Sequence, residues 1–208
     1  MTVFHWILLG GFVTCLVSCL YLFVQSFGAI KAVDYAEPKG NKASAVRYSL
    51  TAAMSPKKKE TAFLHLPTYA AGMIFHLGTL YGFGWLFLHF FGLLQYGWLY
   101  YISAAFLAVS CMCGLLIFIK RIVSKKMRSL SNPDDYFSNL LVTGLQVFTA
   151  ATFVLNGLIP YLFVYAASLF LYIPLGKLRH TIYFFAARAY LGIYYGRRGV
   201  WPQKNDNA

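Results

Sequence analysis

Five apolar stretches, each long enough to cross a bilayer as a helix, alternate with short polar segments along this chain. They run from about Phe4 to Ile30, His65 to Leu93, Trp98 to Ile119, Leu140 to Leu158 and Tyr161 to Tyr183. A hydrocarbon core about 30 Å thick takes about 20 apolar residues at 1.5 Å each, so each stretch is a predicted membrane helix. The expected fold class is all-α: one integral membrane bundle of five transmembrane helices over residues 1–208, with an interfacial tail from 184 to 208. Composition agrees, since 59% of the 208 residues are hydrophobic and 12% charged, against about a quarter charged in a soluble domain.

Charge placement then orients the bundle. All 18 Lys and Arg fall within residues 31–59, 120–128 and 177–204. The stretch before Phe4, the turn Gly92 to Gly97 and the turn Asn156 to Pro160 carry none, so the positive-inside rule predicts the N-terminus outside and the C-terminus in the cytoplasm. The net charge of +12 reads as orientation and contact with the lipid bilayer, not as nucleic-acid binding. No basic region precedes the first stretch, which is read as a retained helix. Asn132 or Asp134 suits the N-cap of the fourth helix, and the aromatics and arginines between Tyr183 and Pro202 suit a membrane interface that also serves as a dock for a soluble partner. Cys15, Cys19, Cys111 and Cys113 have no metal-cluster spacing and read as packing residues.

Candidate chemistry rests with the histidines. His65, His76, His89 and His180 lie within or beside the apolar stretches, where an imidazole needs partners and is a good haem ligand. Two axial ligands of one iron must share a membrane depth. Taken as continuous helices, His180 lies about 30 Å inward from Pro160, His76 about 24 Å inward from Gly92, and His65 about 40 Å. His76 is the closer match to His180, and His65 stays open as an alternative ligand. His65 and His76 differ by about 20° around a helix whereas His76 and His89 differ by about 140°, so His89 points elsewhere. With His5 it forms a candidate outer pair.

The segments Phe75-His-Leu-Gly78, His89-Phe-Phe-Gly92 and Tyr172-Ile-Pro-Leu-Gly-Lys-Leu-Arg-His180, with Met54 to Glu60 and Pro133 to Asp135 in the loops, resemble the gamma subunit of respiratory nitrate reductase and its relatives. The similarity is closest to the cytochrome b subunits of heterodisulfide reductase and of the membrane complex linked to dissimilatory sulfite reductase. It implies His76 and His180 as axial ligands of a haem b near the cytoplasm. The family's outer haem takes a further histidine at the position of Leu162, so one haem is expected, two being the alternative, with His89 as a remnant outer ligand. Lys177 and Arg179 are candidate contacts for the haem propionates, and snorkelling to the interface explains them as well. The implied role is an electron-transfer subunit in a prokaryotic cell membrane, working between the quinone pool, or a methanophenazine-type carrier, and a cytoplasmic iron-sulfur oxidoreductase subunit that acts on the soluble substrate. His65 is then a candidate proton group beside an inner quinone site. A haem-free scaffold for a peripheral complex and a small transporter remain the alternatives from other classes.

Overall fold

The computed structural model describes residues 1–28, 34–55, 64–93 and 97–202, and among these the secondary structure is helical with no strand. The helices are α1 (Val3–Gly28), α2 (Lys42–Leu50), α3 (Leu66–Phe91), α4 (Trp98–Val123), α5 (Lys125–Ser129), α6 (Pro133–Thr152), α7 (Ile159–Tyr172) and α8 (His180–Arg197). Parts of the expected Met54 to Glu60 motif and of the Gly92 to Gly97 turn lie outside the described residues.

Local chemistry accounts for the helix ends. Asn132 accepts the Asp135 N–H at 3.0 Å while the Asp135 carboxylate accepts the Asn132 N–H at 3.0 Å. With Pro133 in the first turn this is a capping box. It starts α6 seven residues before the expected Leu140, and the helix ends at Thr152 instead of Leu158. Asn41 caps α2 in the same way, accepting from Ser44 N–H. The expected fifth span, Tyr161 to Tyr183, is not one helix: α7 stops at Tyr172, and a turn and the 3-10 turn Lys177–Arg179 lead into α8. Pro174 has no N–H to continue the ladder and its ring clashes with the preceding turn. Gly176 sits where any Cβ would overlap the Tyr172 ring.

Among the described residues, three helices are long and apolar enough to cross a membrane: Val3–Phe27, Leu66–Phe91 and Trp98–Val123. The pair Asn156–Tyr172 and Lys177–Arg197 meets the test only when both halves are taken together. Beside an apolar core, several polar side chains are buried while many large apolar ones face outward. Leu80 is 68% exposed and Leu116 57%, whereas Ser103, Ser110, Gln146 and Thr149 are fully buried. Apolar side chains facing out and polar ones facing in is what a hydrocarbon solvent selects.

The chain divides into two units, residues 1–16 with 66–178 and residues 17–65 with 179–208. In the first, α6 packs on α3, α4 and α7, around a core that includes Leu8, Phe75, Leu145, Leu162, Phe163 and Leu169. In the second, α2 lies along α8. Gly192 and Gly196 permit the approach, since a Cβ on either would run into Val46 or Ala45. Ser49 Oγ donates to the Arg188 carbonyl at 2.9 Å, Arg197 donates to the Ala36 carbonyl, and Arg198 pairs with Asp34 at 3.0 Å. The expected interfacial tail is therefore for the most part a helix with an intramolecular partner.

Candidate functional site

Within the first unit the seam between α3, α4 and α6 is dense and polar. Gln146 Nε2 donates to the Phe75 carbonyl at 3.1 Å and to Thr79 Oγ1 at 3.0 Å. Ser110 Oγ donates to the Ile74 carbonyl, and Asn139 Nδ2 to the Gly114 carbonyl. Two glycines bring the helices together: a Cβ on Gly78 would strike Ser110, and one on Gly114 would overlap the Phe75 ring. Each is a position where only hydrogen fits.

His89 closes this seam at the far end of α3 and is 5% exposed. Its Nε2 lies 3.0 Å from Thr152 Oγ1. The Thr152 hydroxyl already donates to the Thr149 carbonyl at 2.6 Å, so its oxygen accepts and the histidine carries its proton on Nε2. Nδ1 is then a bare acceptor, buried without a hydrogen-bond partner. Trp85 and Phe153 flank the ring at 6.2 and 6.4 Å, and Tyr100 packs on both.

The other histidines meet different surroundings. His5 sits on Phe163 at 4.9 Å and Phe90 at 5.4 Å, with Nδ1 against Thr2. Phe90 and His89 leave α3 about 100° apart, and His89 is bonded to Thr152, not to His5. His76 is exposed, next to buried Phe75 on α3. His65 is exposed in the turn before Leu66, so it lies outside α3 and the helical projection that aligned it with His76 does not apply. His180 is the exposed first residue of α8. His76 belongs to the first unit, His65 and His180 to the second. Leu162, the position of the missing family histidine, is fully buried core.

At the opposite end of the seam stands an ion cluster that sequence reading overlooked. Asp135 is buried and pairs with Arg121 at 3.0 Å and with Lys177. Tyr172 donates to Asp134 and lies 2.9 Å from Ser138. Lys177, expected at a propionate, is engaged by Asp135, while Arg179 precedes His180 on the exposed side of the 3-10 turn. The available signal was polar residues recurring every three or four positions through α6, beginning at Asp135.

Fit to a haem, the group that the resemblance implies, separates these residues. The His89 box is filled by aromatic rings. On the His76 face, Gly72 one turn away has nothing within 4 Å of where its Cβ would be. On α8, Ala187 and Leu191 lie about 20° either side of His180 around the helix. Both line a cavity of about 330 Å³ with Ser26, Tyr183, Ala186 and Tyr190. Aromatic rings fill the space around His89, whereas His76 and His180 are exposed, each within its own unit.

The class these features define is an all-helical chain with several helices long and apolar enough to span a membrane. Comparison with protein-family models, curated proteins and solved structures finds no match to this chain.

Proposed function

We propose that the protein is a b-type haem membrane anchor that passes electrons between a membrane quinol and a cytoplasmic iron-sulfur oxidoreductase subunit, as in the nitrate reductase gamma and heterodisulfide reductase cytochrome families. In this reading α1, α3, α4, α6 and the broken pair α7–α8 are the five spans, with the N-terminus outside. α6 falls short of a membrane helix by hydropathy because its polar face is spent on the seam.

The observation that carries the reading is the setting of His76, an imidazole on a membrane-length helix kept out of the seam. Ring contacts fix the register of α3 against α7 within the first unit. Phe90 meets Phe163 at 6.4 Å and Phe83 stacks on Phe170 at 5.5 Å, so seven residues along α3 match seven back along α7. His76 and His180 would hold the haem, each through a neutral imidazole nitrogen. Arg179 is the propionate partner, because Asp135 holds Lys177. Held by two imidazoles, the group would supply one-electron transfer with no open position for substrate. His65, exposed at the foot of α3, serves as the proton group for quinol on that side.

A dithionite-reduced minus oxidised spectrum of the purified chain, with haem quantified by pyridine haemochrome, tests this. The reading expects one b-type haem per chain. A preparation without Soret and alpha bands would contradict it, and two haems would return His89 to the ligand set.

A further inference from the structure

The seam of α3, α4 and α6 holds more polar chemistry than helix packing asks for. On α6, Asp135, Asn139, Thr143, Gln146, Thr149 and Thr152 recur every three or four residues and so share one face. From Asp135 to Thr152 they extend about 26 Å, close to the about 30 Å of a hydrocarbon core. Ionisable groups terminate the row: the Asp135, Arg121 and Lys177 cluster at one end and His89 at the other. Links along it are Thr143 Oγ1 to Asn139 Oδ1 at 3.4 Å, Gln146 Nε2 to Thr79 Oγ1 at 3.0 Å and His89 Nε2 to Thr152 Oγ1 at 3.0 Å.

Polar residues that merely fasten helices together end up with their hydrogen bonds made. Two atoms in this row do not. Gln146 Oε1, on a fully buried side chain midway along, and His89 Nδ1 are both buried acceptors with no partner. Both present a lone pair to the interior of the bundle, where a partnerless acceptor costs stability and earns its place only by what it receives.

We propose that this seam is a proton path through the bundle, with His89 as the relay at one end, Gln146 Oε1 as the hydrogen-bond acceptor that holds a bridging water midway and the Asp135 cluster as the other terminus. At His89 the transfer balances within one ring. A proton arriving on Nδ1 is matched by release of the Nε2 proton to Thr152 Oγ1, which leaves the imidazole neutral. Thr152 and Thr149 donate their hydroxyl protons to the Thr149 and Leu145 carbonyls, so each hydroxyl passes a proton on by turning from its carbonyl to a bridging water as it accepts the next. Successive side chains on one helix face stand about 5–6 Å apart at Cβ, a gap that a water entering the seam bridges. One proton enters as another leaves, and no oxidant or reductant takes part. The other titratable groups on the seam are Tyr81 and Cys111, with Tyr100 beside His89 and Asp134 beside the ion cluster. This inference does not depend on haem.

The test is proton flux in proteoliposomes of the full chain, with a pH-sensitive dye entrapped and a potassium diffusion potential set by valinomycin. The expected result is flux above that of protein-free vesicles, falling to the protein-free level in Gln146→Leu and in His89→Phe and unchanged in Val147→Leu, which alters an exposed position of the same helix. Wild-type vesicles no faster than protein-free ones overturn the proposal whatever the variants do. So does flux that persists in both seam variants, or flux accompanied by escape of an entrapped sulfonated dye, which is general leakage.

Discussion

Two histidines thirteen residues apart on one helix, His76 and His89, meet opposite surroundings. His89 is enclosed, with one nitrogen on Thr152 and aromatic rings on its faces. His76 stands outside the seam on a face where Gly72 leaves space. In a water-soluble protein the buried histidine would be the first candidate for a site. In a bundle whose outer face is apolar, a polar seam is the ordinary place for an imidazole, and a histidine on the outer face is the one that needs explaining. Under the proposed function it is the exposed histidine, not the buried one, that would take a ligand.

The largest expected effect that would break this contrast is on haem. His76→Ala abolishes the haem spectrum, while His89→Leu retains it, as read from pyridine haemochrome per chain. Next comes packing. Gly114→Val forces a side chain into the Phe75 ring and destabilises the bundle by about 1–3 kcal/mol, measured as a lower melting temperature in detergent. Gly72→Val on the open face leaves the melting temperature of haem-free protein near the wild-type value and lowers haem occupancy. Equal losses of stability at the two glycines would erase the distinction between the faces.

A smaller effect is expected at Thr152. Thr152→Val removes the acceptor for His89 Nε2–H, and interhelical hydrogen bonds in membranes are worth about 1 kcal/mol. The same denaturation measurement resolves it, and a loss much above that of Gly114→Val would mean that His89 organises the bundle more than Phe75 does.

The smallest effect lies in the second unit. The Arg198 guanidinium bonded to Asp34, helped by the Ala36 N–H, holds the Asp34 carboxyl below its usual range against a weaker opposing effect of burial. Because the folded value lies below the unfolded value of about 3.9, the contribution is present above about pH 4 and is lost as pH falls through the folded value. Hydrogen exchange at the C-terminal end of α8 should accelerate on that descent, and Asp34→Asn should show weaker pH dependence there.

Much of this architecture was legible from the pattern of residues. Long apolar runs predicted α1, α3 and α4 to within a few residues, because nothing in their sequences interrupts the helical ladder. Asn132 was one of two expected caps, with Asp134, and it is the one that accepts from the first turn, where a side-chain acceptor before Pro-Asp-Asp satisfies a free N–H group. The break after Tyr172 was missed although Pro174 and Gly176 stood in plain view; the hydropathy of the run masked a backbone that cannot continue. The start of α6 was missed for the converse reason, as Asp134, Asp135, Ser138 and Asn139 look like loop until the buried seam that receives them is known. Which histidine lies inside and which outside could not be read from spacing, because the seam is defined by Gly78 and Gly114 on two helices, and only packing brings those glycines to Ser110 and Phe75.

The most direct test of this division is haem stoichiometry in matched preparations of wild type, His76→Ala, His180→Ala and His89→Leu. The account predicts one haem per chain in wild type and in His89→Leu, and none in the other two. Haem retained in His76→Ala and lost in His89→Leu would contradict it.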